Sequence, residues 1–475
     1  MNDTSLTSHS STFTSIEDTI CALATAPGGA LGIIRVSGPD AFSAVSSICS
    51  VSCGSVAANT VHYTHIVNSE GEMIDDVMVS IFRAPHSYTA EDSVEISCHG
   101  SQYILNRVLD LLMQNGCRMA RPGEFTMRAY LNGKMDLSQA EAVADLIAST
   151  NRATHQMAMS QLKGHFSSEL KKLRDQLLQL TSLLELELDF SDHEDLEFAD
   201  RSELLALASK IDARILQLAN SFETSQALRN GIPVAIIGKT NVGKSTLLNR
   251  LLGDDRAIVS DIHGTTRDTI EDTMEINGIQ FRFIDTAGLR QTSDEIEKIG
   301  IERTLKKIND ASIILWMLDA APSDEECDEM LKMTKGKERI VIHNKADLID
   351  MNTFCPYMLP MMMISAKRGD GIDRLKEFIY EAAQRLGLSG NEIIVTSARH
   401  YDALLRSHES ILRVIEGIGA KMVNGQWTVV DESLSGDLLS EDLRITLDTL
   451  AEITGGQITP QDTLNNIFSH FCVGK

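Results

Sequence analysis

Apolar positions along the first part of the chain follow two periods. They alternate or run together over 31–36, 77–82 and 94–98, the spacing of strands, and recur three or four apart over 103–113, the spacing of a helix face. This mixture predicts an α+β domain over 18–132. Residues 1–17 are rich in Ser and Thr and hold little to bury, which predicts a disordered tail.

Over 133–229 the helical period takes over. Ser138, three before Glu141, reads as a capping box opening a helix that continues through Leu146 and Ile147. Leu170, Leu173, Leu177, Leu178, Leu180 and Leu184 carry a long amphipathic stripe to an acidic connector, 189–200, read as a solvated loop feeding a further helix over 201–228. Strands and helices alternate over 230–387, the mark of a doubly wound α/β domain. The stretch 388–475 is helical again, with Leu404, Leu405, Ile411, Leu412, Leu443, Ile445, Leu447 and Leu450 at amphipathic spacing. The two helical segments are therefore expected to pack as one discontinuous domain with the α/β unit inserted.

Length agrees with this division. The chain has 475 residues, and domains run to ~100–200 residues each. Its net charge of −24 repels phosphate backbones, so a nucleic acid must be held on a local basic patch or through a partner protein. No apolar run reaches the ~18 residues of a membrane helix, and no Lys or Arg precedes Arg35, which disfavours secretion and organelle import. The eight cysteines, Cys21, Cys49, Cys53, Cys98, Cys117, Cys327, Cys355 and Cys472, include no C-x-x-C pair. A disulfide or zinc scaffold is not expected, and a cytoplasmic location is.

The chemistry begins at a short β-branched run, 234–237, followed by Gly238-Lys239-Thr240-Asn241-Val242-Gly243-Lys244-Ser245-Thr246 and a helix through Leu247, Leu248 and Leu251. In that order of strand, glycine-rich loop and helix, backbone N–H groups point at phosphates, Lys244 reaches the β and γ oxygens, and the Ser245 hydroxyl coordinates Mg²⁺. Asp285-Thr286-Ala287-Gly288 follows the strand 281–284, putting a carboxylate near the Mg²⁺ shell and a glycine N–H near the γ-phosphate. Asn344-Lys345-Ala346-Asp347 follows the strand 340–343; a carboxylate there accepts two hydrogen bonds from guanine that adenine does not offer. Ser365-Ala366-Lys367 closes on the base. The nucleotide read from these motifs is GTP.

Ser260, Asp261, Ile262, His263, Gly264, Thr265 and Thr266 stand where a first switch belongs, and Thr266 is the candidate to complete Mg²⁺ coordination when a γ-phosphate is present. Leu289 occupies the position where Ras-like enzymes carry a water-orienting glutamine. Asp294, Glu295 and Glu297 are the nearest candidates for that task, against the plainer reading that they cap a helix. Positive charge for the transition state could come from Arg290 or Arg267 as a finger, or from a monovalent cation held in part by Asn241.

A wider set of residues carries a resemblance. Asp18-Thr19-Ile20, Gly32-Ile33-Ile34-Arg35-Val36-Ser37-Gly38, Ser87-Tyr88-Thr89, Val94-Glu95, His99-Gly100, Arg121-Pro122-Gly123-Glu124-Phe125, Leu131-Asn132-Gly133-Lys134-Met135-Asp136-Leu137, the run 139–147 and the terminal Phe471-Cys472-Val473-Gly474-Lys475 resemble the MnmE (TrmE) family of tRNA modification GTPases over nearly the whole length. The turn at 26–30 is shorter than is usual in the family, and Val473 replaces the commoner isoleucine.

The resemblance implies a folate-binding-like N-terminal domain that dimerises, a discontinuous helical domain and an inserted Ras-like P-loop GTPase domain. It implies that Arg35, Glu95, Lys134 and Lys475 bind a tetrahydrofolate derivative, 5-formyl- or methylene-tetrahydrofolate. It further implies that Asn241 coordinates K⁺ with backbone oxygens of Ser260, Ile262 and Thr265, and that Glu297 orients the attacking water. The family works as a homodimer with the FAD-dependent MnmG (GidA), in a heterotetramer or larger complex, on the wobble uridine of certain tRNAs. Cys472, beside the implied folate pocket, is read either as a thiol able to take part in one-carbon chemistry or as a small buried residue shaping the pocket. A ribosome or RNA assembly GTPase is a rival reading, but no KH-type Gly-x-x-Gly loop or basic tail is visible after His400. A folate-sensing switch that transfers no carbon is a second rival.

Overall fold

The computed structural model describes residues 18–190, 201–253, 272–284, 308–348, 361–386, 393–423, 426–429, 436–456, 461–469, 471 and 474. They form two compact units, Met1–Ala144 with Ala451–Lys475, and Asp145–Leu450.

The first unit is built on a six-stranded sheet. Its elements are β1 (Ile20–Leu23), β2 (Leu31–Ser37), α1 (Ala41–Ser46), β3 (Thr60–Val67), β4 (Met73–Phe82), β5 (Ser93–His99), α2 (Gln102–Gln114), β6 (Arg118–Met119), α3 (Glu124–Leu131) and α4 (Leu137–Ala148). The strands lie in the order β3-β4-β5-β2-β1-β6, antiparallel except for the β1–β6 pair. Alternation along β2 sends Ile34 and Val36 into a core with Val94 and Ile96 of β5, closed by Val45 of α1 and Leu105, Val108 and Leu112 of α2. Arg35 therefore falls on the opposite face. The C-terminal helix Gln461–Ser469 also belongs to this unit, its Leu464 and Phe468 packing with Phe471 against Met127, Leu137 and Ala140.

Helix α4 starts two residues earlier than the Ser138/Glu141 box predicts. Asp136 Oδ1 accepts from the Gln139 N–H at 2.9 Å, while Gln139 Oε1 accepts from the Asp136 N–H at 2.9 Å. Asp136 satisfies the same orphan donors a serine would, so the box is Asp136/Gln139. Ser138 is buried within the helix and donates to Asp136 Oδ1.

A buried ion network pins α3 to the sheet. Glu124, 2% exposed, accepts from Arg118 at 2.6 Å and from Arg128 at 3.3 Å, and Arg128, 3% exposed, also reaches Asp18 at 2.5 Å. Burial alone would push the Glu124 carboxyl up, but hydrogen bonds from Arg118 and the Arg121 N–H, with the charges of Arg118 and Arg128, hold it below its ordinary value. Asp18 is lowered in the same way, the bonds to Arg118 and Arg128 overcoming its burial.

The second unit joins helices to a second sheet. Helices α5 (Arg152–Leu162), α6 (His165–Phe190) and α7 (Arg201–Asn230) lead into β7 (Ile232–Gly238), α8 (Lys244–Gly253), β8 (Asp272–Ile276), β9 (Ile279–Phe283), β10 (Ile313–Leu318), α9 (Asp324–Met333), β11 (Glu338–His343), β12 (Met362–Met363) and α10 (Ile372–Arg385). Helix α11 (Ala398–Gly417), the hairpin β13 (Ala420–Val423) and β14 (Gln426–Val429), and α12 (Gly436–Thr454) follow. The sequence pattern did not announce that hairpin. Helix α6 continues to Phe190, so most of the acidic connector lies outside the described residues.

The second sheet runs β12-β11-β10-β7-β9-β8, parallel apart from the β8–β9 hairpin. Strands β7 and β10 are buried on both faces: Val234, Ile236 and Leu315 pack toward α8 and α10, and Ala235, Ile237 and Trp316 toward α9. That is why both read as unbroken apolar runs. Helices α7 and α11 flank the inserted α/β domain in sequence and pack on each other, Phe222 stacking on Tyr401 at 4.8 Å. The expected three-part fold class is the one observed.

The carboxylates of the ion network have lowered values when folded, so their stabilisation is complete above the ordinary carboxylate range near pH ~4 and is lost as pH falls through the folded values. Glu124→Gln removes the more buried of the two anions, Glu124 and Asp18, that Arg118 and Arg128 share, and is expected to cost the first unit about 3 kcal/mol. Hydrogen-exchange protection of β1 and α3 amides checks this, and the variant is expected to lose less protection than the parent between pH 7 and 3.5.

Candidate functional site

The loop between β7 and α8 carries the residues expected to hold phosphates. Asn241 sits at φ +60°, a left-handed conformation that Asn tolerates better than most side chains. Gly243, at φ +100°, has no room for a side chain, since a Cβ there would meet Asn344 Nδ2 at 2.3 Å. Helix α8 begins at Lys244, so Lys244, Ser245 and Thr246 form its first turn, where unpaired N–H groups and the helix dipole favour an anion. Lys244 Nζ donates to the carbonyls of Gly238 at 2.8 Å and Lys239 at 2.6 Å, which holds the ammonium across the loop.

Asn344, 3% exposed just after β11, ties this loop to the residues expected to close on the base. Its Nδ2 donates to the Val242 carbonyl at 2.8 Å, and its Oδ1 accepts from the Ala366 N–H at 3.0 Å. Nearby, Asp347 Oδ1 accepts from Ser365 Oγ at 2.7 Å, and this bond, with the charges of Arg368 and Lys367, holds the carboxyl below its usual value against a small burial penalty. Asp347 is thus an anion fixed in place, the acceptor that a guanine N1–H and amine require. Lys345, at φ +63°, pairs with Asp319 at 2.6 Å.

Asn241, Val242, Gly243, Lys244, Ser245, Thr246, Asn344, Lys345, Asp347, Ser365, Ala366 and Lys367 therefore gather around one loop cluster at the carboxyl ends of the strands. Ser260, Asp261, Ile262, His263, Gly264, Thr265, Thr266, Asp285, Thr286, Ala287, Gly288 and Glu297 lie outside the described residues. The motif reading gave the base to the carboxylate of Asp347 and missed the bridging amide of Asn344 and the partner Asp319. Asn344 was visible as a motif letter, but its contact with Val242, 102 residues away, carries no local signal.

In the first unit, Arg35 of β2 and Glu95 of β5 stand opposite each other in register. Arg35 Nε and Nη2 both donate to Glu95 Oε1, at 2.9 and 2.8 Å, and Nη1 donates to the Gly474 carbonyl at 3.2 Å. The guanidinium lies 5.2 Å from the Tyr88 ring centroid and 5.6 Å from that of Phe125. Gly474, at φ +89°, runs so close to β1 that a Cβ would meet the Leu23 carbonyl at 2.3 Å. Both Arg35 bonds to Glu95 fall on one oxygen, so among the described residues Oε2 still offers an acceptor. Lys134 is exposed and donates to Pro85 O at 3.3 Å rather than joining this pair. Cys472 and Lys475 lie outside the described residues.

Two family descriptions match the chain: GTP-binding protein TrmE N-terminus over residues 19–134, and MnmE helical domain over 137–472. The tRNA modification GTPase MnmE of Phocaeicola vulgatus is 50% identical, over 97% of this chain and 99% of that protein. The proteins of the same name from Bacteroides fragilis and Bacteroides thetaiotaomicron are each 52% identical, over 97% of this chain and all of theirs.

Asn344→Ala leaves the buried Val242 carbonyl and Ala366 N–H without their partner and loosens both loops together. GDP affinity is expected to fall about 10- to 100-fold, from two lost buried hydrogen bonds, as read by calorimetric titration.

Proposed function

The chain belongs to the tRNA modification GTPase MnmE family, and on that premise we propose that its GTP hydrolysis serves, with a flavoprotein of the MnmG kind, to modify carbon-5 of the wobble uridine in certain tRNAs. GTP hydrolysis and action on tRNA come with membership. The single observation that carries the finer reading is identity of half the residues over 97% of the chain, which spans the nucleotide site and the first unit alike. No helix among the described residues is long and apolar enough to cross a membrane.

Residues 241–246 are suited to the phosphates and Asp347 to the guanine edge. Ser245 and Thr266 would hold Mg²⁺; Asn241 would hold K⁺ with backbone oxygens of Ser260, Ile262 and Thr265. Bound cations at these positions offset the charge that builds on phosphate oxygens during transfer. Glu297 is the proposed guide for the attacking water, since Leu289 carries no polar atom. The G domains of two protomers would meet across their nucleotide faces, making hydrolysis a property of a homodimer.

The second half of the proposal concerns a reduced folate at Arg35, Glu95, Lys134 and Lys475. The open Glu95 oxygen suits a pterin amine and ring N–H, and cations suit the glutamate tail. That folate would supply the one-carbon unit, giving an aminomethyl-type product with the flavoprotein and tRNA in a heterotetramer or larger complex. Cys472 retains its two readings.

GTP turnover is expected to rise on the order of tenfold or more when Na⁺ is replaced by K⁺ at equal ionic strength. Equal rates in the two salts would remove the cation role of Asn241. Labelled carbon is expected to pass from methylene-tetrahydrofolate to tRNA when chain, flavoprotein and GTP are combined. A chain that binds folate and hydrolyses GTP but leaves tRNA unlabelled would be a folate-sensing switch instead.

A further inference from the structure

Helix α8 starts at the phosphate end of the site, and its last turn carries a side chain that reaches the base end. Arg250 Nη2 donates to the Lys367 carbonyl at 3.0 Å. Its guanidinium also lies over Gly369, where a Cβ would sit 3.5 Å from Nε and 3.6 Å from Nη2. The turn it grips is tightly wound: the Gly369 N–H donates to the Ser365 carbonyl at 2.7 Å and the Ser365 N–H to the Asp370 carbonyl at 3.0 Å. We propose that Arg250 is a positioning residue for guanine binding, a clasp from the phosphate-binding helix that holds the Ser365-Ala366-Lys367 loop closed on the base. The inference rests on the guanine-nucleotide reading of the site.

Among the described residues, three side chains from two parts of the chain tie this loop to the rest of the site. Asn344 holds the Ala366 N–H, Asp347 holds the Ser365 hydroxyl, and Arg250 holds the Lys367 carbonyl. The first two come from the segment after β11, so they fix the loop against its neighbour. Arg250 alone among the three comes from α8, and so fixes the spacing between the phosphate-binding turn and the base-binding loop. Seven helical residues, Lys244 to Arg250, span that distance. The planar guanidinium suits the task, because it can bond a carbonyl while lying flat on a glycine. Among the described residues Arg250 bonds the base loop and none of residues 241–246, so its loss should loosen the grip on the base and spare the transfer step.

The test compares the full-length chain with Arg250→Ala and Arg250→Lys. Release of a fluorescent GDP is expected to quicken about three- to tenfold in Arg250→Ala, with the KM for GTP raised by a similar factor and kcat within about twofold of the parent. Arg250→Lys, which keeps a donor without the flat fork, should fall between. The nucleotide-free melting temperature is expected to be the same in all three. GDP release at the parental rate in Arg250→Ala overturns the inference. So does a lowered nucleotide-free melting temperature with kcat falling in step with KM, which marks a merely structural role. If the parent itself binds ADP as tightly as GDP, the guanine reading fails first and takes the clasp with it.

Discussion

One side-chain amide sets the spacing of the two loops of the candidate nucleotide site. Asn344 gives its N–H to the phosphate loop and takes an N–H from the base loop, and a single rotamer has to serve both. Because the amide is buried, neither partner can turn to water in its place, so the two loops keep their spacing or lose a hydrogen bond in a dry setting. Gly243 is the other half of this constraint. Any side chain there would occupy the space of the amide nitrogen, so the glycine that the loop needs for its conformation is also what lets Asn344 approach.

What the sequence could reveal follows from how local each signal is. The strand, glycine loop and helix at 232–253 were legible because period, motif and order all fall within about twenty residues. Strand β7 was legible for the same reason, as the run 234–237, whereas β10, equally apolar, was not singled out. Helix α4 was placed within two residues, and the miss is instructive: Ser138 and Asp136 are both competent caps, and only the reciprocal bond with Gln139 selects between them. The hairpin of β13 and β14 was missed, since four-residue strands give too little pattern to stand out beside long helices. Asn344 with Val242, and Arg35 with Gly474, join residues separated by 102 and 439 positions, and no window along the chain contains either pair.

The pairing of Arg35 with Glu95 shows how an ordinary ion pair can also have the fixed geometry that a binding site needs. Read singly, each residue suggests an ordinary ion pair, and the two do form one. Yet a partly buried pair whose guanidinium lies near two aromatic rings, with the Gly474 carbonyl as third partner, is more than a solvated bridge. Its geometry is over-determined by the register of β2 and β5, by Gly474 pressed on β1 and by the Tyr88 and Phe125 rings. Fixed polar groups in a half-buried setting are what selective recognition of a flat, polar ligand requires, because little ordering remains to be done on binding.

The second unit divides its labour between the two ends of its sheet. The Val395 N–H donates to Ser221 Oγ, Arg229 donates to the Thr396 carbonyl, and Thr396 Oγ1 donates to Gln161, so the segments entering β7 and leaving α10 are both held by helices. The Ala153 N–H at the start of α5 donates to the Gly278 carbonyl in the turn between β8 and β9. All of these ties lie at the amino end of the parallel strands. The phosphate loop, Asn344 and the base loop lie at the carboxyl end, where an open α/β sheet leaves helix N-termini and loop amides facing out. Anchoring the domain from one end leaves the loops at the other end clear of these ties. Among the described residues, chain entry, chain exit and the Ala153–Gly278 tie share the end opposite the candidate nucleotide site.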